Sequence, residues 1–285
     1  VPPQENGADI SVVLDVLRMM CGNDEKVANY VLKWIAHIFK KPYKKTGTAI
    51  VVQGLEGVGK DTFWNFIGSI LGEGDYFYNT SCPENDIFAP FNHGTERCVL
   101  VKFEEANFKT NASNQNRLKK LITSETETYH RKNHDPIILD DYRNIVMTTN
   151  EETPLPLSDT DRRFVLMKAS DEKKGDTAYW TETYAKLDDA RVKSAFHQYL
   201  LNMDIEGFVP YDPAERPITE FQRDVKQTLS PYHAKWFYDY IESAKITRAS
   251  LGIAEPTDLP TWDAYSLFKV VADSSFCKNF TLNNI

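Results

Sequence analysis

Apolar residues first settle into a regular period at Val27, Tyr30, Val31, Trp34, Ile35 and Ile38. That spacing keeps them on one side of a helix. Residues 10–40 therefore read as helical, with Asn23 or Asp24 placed to cap the second stretch. Lys40-Lys41-Pro42 ends it, and residues 44–48 form a loop. The period then changes. Ala49-Ile50-Val51-Val52-Gln53 is a short apolar run, as expected of a strand buried on both faces. A glycine-rich turn follows. Phe63, Phe66, Ile67 and Ile70 next mark a helix over 62–71 that stops at Gly72.

Residues 73–97 read as loop-rich. A second buried strand covers 98–103 and ends in Glu104-Glu105. Residues 112–123 predict a polar helix with Leu118, Leu121 and Ile122 as its apolar edge. Alternation over 126–132, the turn Asn133-His134-Asp135-Pro136 and the answering Ile137-Ile138-Leu139 predict a β-hairpin with a basic tip. Residues 144–149 form a third buried strand ending in Asn150, and 164–167 an apolar strand behind Asp161-Arg162-Arg163. Residues 171–204 look helical and amphipathic. Pro210, Pro213 and Pro217 mark a linker, and 218–285 hold short helices, one of them aromatic-rich over 232–241. Trp180, Tyr184, Trp236, Phe237, Tyr238 and Tyr240 stand at helical spacing and read as core. Strand, glycine loop, helix and further buried strands give an α/β fold: a P-loop NTPase core with a central parallel sheet, N-terminal helices and a helical C-terminal region. Three segments result: an N-terminal helical one (1–45), the P-loop core (46–170), and a helical lid with the start of a C-terminal domain (171–285).

Composition changes this picture little. A hydrophobic fraction of 41% and a charged fraction of 26% are ordinary for a globular chain of 285 residues. The formal net charge of -8 argues against a generic nucleic-acid coat but leaves room for a local basic element. No apolar run is long enough to span a membrane. Cys21, Cys82, Cys98 and Cys277 lack C-x-x-C spacing, which argues against a zinc site and fits an intracellular setting. The start at Val1-Pro2-Pro3 and the end at Asn283-Asn284-Ile285 read as cuts from a longer polypeptide.

The chemistry lies in the turns after the strands. Gly54-Leu55-Glu56-Gly57-Val58-Gly59-Lys60 matches G-x-x-x-x-G-K, between a buried strand and a helix. Such a loop turns backbone N–H groups onto phosphate oxygens, with the helix N-terminus adding its dipole, and Lys60 reaches the β- and γ-phosphates. The next residue is usually Ser or Thr, a magnesium ligand. Here it is Asp61, followed by Thr62, whose hydroxyl is a further candidate for the metal. Asp61 either holds Mg²⁺ as a hard oxygen ligand or faces away and caps the helix. Glu104 and Glu105 end a strand at the edge where doubly wound sheets gather ligand chemistry; Glu104 is assigned to the metal and Glu105 to activation of the attacking water. Asn150 can hold that water in line. Arg163, with Arg162 as the alternative, can enter a neighbouring subunit's site as a finger or instead pair with Asp159 or Asp161.

These pieces, in this order, resemble the superfamily 3 helicases, hexameric ATPases of the AAA+ class, and within them the poxvirus- and phage-type primase-helicases. The resemblance covers about residues 24–168. Motif A corresponds to Gly54 through Thr62, and motif B to the strand ending Glu104-Glu105. Motif B′ corresponds to Leu118 through Lys132, and motif C to Val146-Met147-Thr148-Thr149-Asn150. Asp61 departs from the usual pattern, as does Ser124-Glu125 where the family often has a Gly. The resemblance implies ATP and Mg²⁺ as cofactors, a hexamer, with residues 10–40 as part of a collar, and single-stranded or fork DNA as partner. It also implies a hairpin pointing into a central channel. Lys119, Lys120, His130, Arg131, Lys132 and His134 would then meet the phosphate backbone, with Tyr129 as a stacking surface. Two other readings stay open: a small-molecule P-loop kinase, and a non-catalytic nucleotide-gated scaffold if Asp61 abolishes metal binding.

Overall fold

The computed structural model describes residues 8–89, 91–105, 108, 112–158 and 161–228. The chain divides into two units, Val1–Arg223 and Asp224–Ile285. The first carries nearly everything described here. The aromatic-rich stretch 232–241, with Trp236, Phe237, Tyr238 and Tyr240, lies outside the described residues.

Helix α1 (Ser11–Met20) leads to α2 (Glu25–Lys40). The cap of α2 is Asp24, whose carboxylate accepts from the backbone N–H groups of Lys26 and Val27. Strand β1 (Ala49–Gln53) is buried throughout and runs into the phosphate-loop sequence and α3 (Lys60–Leu71). The segment expected to be loop-rich instead contains strand β2 (Phe77–Thr80), a single turn α4 (Pro83–Asp86) and a 3₁₀ turn, His93–Thr95. Strand β3 (Leu100–Glu104) and helix α5 (Ala112–Thr123) come next. Strands β4 (Thr126–Tyr129) and β5 (Ile137–Asp140) then make the hairpin. Strand β4 stops three residues earlier than its alternation suggests. Asn92 explains this: its side chain accepts from the His130 N–H and donates to the Thr128 carbonyl, drawing the backbone out of the ladder. Strands β6 (Asn144–Thr149) and β7 (Phe164–Lys168) complete the core, followed by α6 (Thr177–Asp188), α7 (Ala190–Asn202) and α8 (Glu220–Thr228).

Five parallel strands stand in the order β2-β3-β6-β1-β7. Side chains alternate across the sheet. Ile50, Val52, Leu100, Val146, Val165 and Met167 face a core shared with α1, α2, α3, α6 and α7. Val51, Val101, Phe103, Ile145, Met147 and Leu166 are buried too. Both faces are therefore covered, as a parallel sheet requires. In the shared core, the Trp34 and Trp64 rings meet edge to face at 6.1 Å, and those of Phe66 and Phe196 at 5.5 Å. Full burial of each such side chain stabilises by about 1.5–3 kcal/mol. Trp180 belongs to this core, whereas Tyr184 is exposed. Helix α3 approaches β2 so closely that a side chain at Gly68 would strike the Phe77 ring.

Candidate active site

All five strands run the same way, so their C-terminal ends share one edge. Strand β6 lies between β1 and β3, with Gln53 opposite Thr149 and Glu104 opposite Thr148. That order sets Asn150, just past β6, between the glycine loop and the two glutamates. The sequence made these groups candidates separately; the strand order brings them together.

Gly59 caps α3 in the left-handed region, at φ 82°. A side chain there would also strike the Trp180 indole of α6, so conformation and contact both demand glycine. Leu55, Glu56 and Gly57 are exposed at the tip, while Gly54 and Val58 are buried. The Gly54 N–H donates to the Thr149 carbonyl, which ties the start of the loop to β6. Lys60 is buried, with Nζ 3.7 Å from Asp61 Oδ2.

Asp61 does not cap the helix. Its Oδ1 accepts from Thr148 Oγ1 at 2.6 Å and lies 3.0 Å from Lys102 Nζ. Lys102, one polar residue in an apolar run, is completely buried. Its ammonium donates to Asn65 Oδ1 at 2.7 Å and to Glu104 Oε1 at 2.6 Å. Asn79 donates to the same Glu104 oxygen at 2.8 Å. Lys102 therefore ties both acidic candidates for the metal together. The signal for it was present: Lys102 and Glu104 share a strand face at i, i+2, and Asp61 and Asn65 share a helix face at i, i+4. The Thr62 hydroxyl pairs instead with Tyr184 of α6, at 3.3 Å.

Glu105 follows β3 in the left-handed region at φ 53°, which is sparsely populated for any residue but glycine. Its N–H donates to the Thr148 carbonyl, and its carboxylate accepts from Asn150 Nδ2 at 2.9 Å. The two residues assigned to the water are thus already paired. Asn150 Oδ1, Gln53 Oε1 and Asn79 Oδ1 are buried acceptors with no hydrogen-bond partner among the described residues. Buried polar atoms are seldom left so. Asn150 Oδ1 suits an attacking water. Asn79 Oδ1, beside Glu104, suits the water shell of a hard cation. Lys102 engages one oxygen each of Asp61 and Glu104, and Lys60 lies 3.7 Å from the second Asp61 oxygen; these two carboxylates and the Asn79 amide oxygen are hard donors of the kind Mg²⁺ takes.

Arg163 and Arg162 stand at the opposite edge. Phe164 pairs with Ala49 at the start of β1, and the Ala49 N–H donates to the Arg163 carbonyl. Arg163 thus stands at the opposite end of β1 from its own chain's glycine loop. Its guanidinium lies 3.4 Å from buried Asp161, the pairing that rivals a finger role. Arg162 is exposed.

The hairpin separates its basic candidates. His130, Arg131, Lys132 and His134 are exposed at the tip, with Arg131 paired to Glu96. Tyr129 is not available for stacking. It is buried beneath the Arg143 guanidinium, 5.2 Å from the ring centre, because it points into the hairpin's base. Burial pushes its hydroxyl pKa well above the ordinary value. Lys120 is 3.8 Å from Glu127, and Lys119 is 3.9 Å from Asp161. The base itself is a buried charge network. Asp141 accepts from Lys45 at 2.8 Å and from Arg143 at 2.8 Å and 3.0 Å, and Lys45 also donates to the Leu121 and Ser124 carbonyls.

The strand order, the glycine loop opening α3, and the acidic residues at the neighbouring strand end together define an α/β domain of the P-loop type. Residues 52–163 match a family of unknown function, DUF5906. The chain is related to the DNA primase-polymerase of Nitratiruptor phage NrS-1, with 25% identity over 241 residues, covering 80% of this chain and 32% of that protein. The apo structure of the NrS-1 C-terminal region superposes with a TM-score of 0.69 and 19% identity, covering 88% of this chain and 62% of that one, a shared fold. The chain therefore spans about a third of the phage protein's length. A JCV helicase structure aligns at a TM-score of only 0.41, with 13% identity over 84% of this chain and 66% of that one.

Among the described residues no cluster of His, Cys, Asp and Glu forms a metal site by itself, and no helix is long and apolar enough to cross a membrane.

Proposed function

We propose that this chain is the ATP-hydrolysing motor of a replicative DNA helicase, working as a hexamer on single-stranded or fork DNA. The observation that carries the reading is the gathering at one sheet edge of Lys60, Asp61, Glu104, Glu105 and Asn150. Lys60 and the loop N–H groups hold the phosphates. Asp61 and Glu104 would hold Mg²⁺, which would supply positive charge to offset that of the phosphates. Glu105 accepts the proton of the attacking water, and Asn150 keeps that water in line. Arg163 lies at the far edge from its own phosphate loop, a position suited to a neighbouring copy's site once it leaves Asp161. The exposed tip of the hairpin, His130 through His134, supplies the positive surface for DNA on an otherwise acidic chain.

The second reading, a nucleotide-gated scaffold without turnover, is favoured by Lys102, which already engages both acidic metal ligands. Hydrolysis separates the two. ATP turnover with Mg²⁺, measured with and without single-stranded DNA, is expected to appear and to rise with DNA. Lys60→Ala should abolish it. ATP binding with no turnover, with or without DNA, in protein confirmed as a ring would favour the scaffold.

A further inference from the structure

A lysine side chain with no exposed surface is rare unless its charge is paired, and Lys102 is the clearest case among the described residues. An ammonium has three hydrogens to donate. The three nearest acceptors are Glu104 Oε1 at 2.6 Å, Asn65 Oδ1 at 2.7 Å and Asp61 Oδ1 at 3.0 Å. Two hydrogen bonds and the ion pair to Asp61 hold the ammonium among these three acceptors. Asp61 supplies the negative charge that a serine or threonine at that position would lack. Lys102, one strand away, supplies the positive charge that balances it. The two carboxylates also take their fixed positions from neutral donors, Thr148 to Asp61 and Asn79 to Glu104.

We propose that Lys102 is a placeholder cation: it holds Asp61 and Glu104 in a preformed pair and excludes free divalent metal from them until a nucleotide brings the metal in. This rests on reading the edge as a nucleotide site. A divalent ion arriving alone meets two carboxylates already paired with Lys102, one of them also facing Lys60. An ion arriving with a triphosphate brings its own anionic oxygens and needs only the remaining carboxylate oxygens. Lys102 is thus a positioning residue that couples metal entry to nucleotide entry. The ordinary hydroxyl at the Asp61 position would leave that coupling out.

The test is Mn²⁺ retained by the whole chain in equilibrium dialysis, without and with ATP, the ATP arm read against ATP alone because ATP itself binds Mn²⁺. Wild type should take up Mn²⁺ stoichiometrically with ATP and at least about tenfold more weakly without it, because Lys102 already offsets the charge of the two carboxylates. Lys102→Met should bind Mn²⁺ without nucleotide about tenfold more tightly than wild type, because two carboxylates are then left to share a cation. Wild type that binds Mn²⁺ equally well with and without ATP overturns the proposal, and that measurement stands even if Lys102→Met fails to fold. A folded Lys102→Met that gains no affinity for free Mn²⁺ overturns it as well. ATP binding, followed separately by fluorescence with Lys60→Ala as control, identifies the other failure. If wild type binds no ATP, the nucleotide reading falls, while the free-metal comparison of wild type with Lys102→Met still decides the role of Lys102.

Discussion

Replacing Asp141 with asparagine should loosen the hairpin without touching the phosphate loop. The Asp141 side chain has no exposed surface, and its partners Lys45 and Arg143 are 10% and 1% exposed. Asparagine keeps the shape and one acceptor oxygen but leaves Lys45 without its paired anion and Arg143 with only Glu127, 3.5 Å away. Breaking a buried pair in this way costs about 3–5 kcal/mol, a large share of the 5–15 kcal/mol or so that holds a typical domain folded. Lys45 also joins the end of α5 to the start of β6, and Arg143 reaches Thr95 and the Tyr129 ring. The loss should therefore concentrate in residues 126–143. The assay is urea unfolding together with amide hydrogen exchange, which should show faster opening of β4 and β5 than of β1. The pH dependence has a definite sign. Burial alone would raise the Asp141 carboxyl, but Arg143, through its hydrogen bonds and charge, and Lys45 together hold it below the ordinary value. Its contribution is fully present above the unfolded carboxylate pKa of about 3.9 and is lost as pH falls through the lowered folded value. The gap between wild type and Asp141→Asn should therefore be widest near neutrality and close in strong acid. A loss below about 1 kcal/mol at pH 7 would refute the idea that this network anchors the hairpin. So would a gap that stays constant into acid.

Three further outcomes are expected. Gly59→Ala should lose nucleotide binding and at least about 1–2 kcal/mol of stability, from the left-handed backbone at φ 82°. Unchanged binding by fluorescence titration would remove Gly59 from the phosphate cradle. Arg163→Ala should leave ATP binding near wild type while lowering turnover about a thousandfold or more, the scale of an arginine finger. Mixing it with Lys60→Ala protein should restore some turnover at shared interfaces, and no recovery in mixed assemblies would argue against action between subunits. Arg131→Ala with Lys132→Ala should weaken single-stranded DNA binding and reduce the slope of its salt dependence by about one for each phosphate no longer neutralised. An unaltered slope would place the DNA-binding surface away from the hairpin tip.

The buried strands, the glycine loop and the hairpin were legible because each carries its own period or turn chemistry. Val51 and Val146 lie in runs that only a covered parallel sheet accommodates. Strand β2 was not legible. Phe77-Tyr78-Asn79-Thr80 is a four-residue edge strand laddered to β3, and its middle two residues are half-buried, so its pattern is neither apolar nor alternating. Tyr129 misled for a related reason. Its neighbours His130 and Arg131 suggest an exposed basic tip, but strand parity turns its ring inward to Arg143, a partner 14 positions away. Lys102 needed the fold most. Its role depends on Asp61 and Asn65 on one helix and Glu104 on its own strand, and only packing α3 against β3 brings them together. The unusual Asp61 was the clue. An extra negative charge beside phosphates calls for a cation nearby, and the sequence does not say which one.

The most direct test of the central claim is single-turnover ATP hydrolysis by Glu105→Gln. Glu105 is bound to Asn150 and makes no contact with Lys60 or Lys102 among the described residues. The variant should bind ATP about as tightly as wild type and hydrolyse it about a hundredfold more slowly or worse, the usual cost of removing a general base. Hydrolysis at the wild-type rate would contradict the assignment of this sheet edge as the catalytic site.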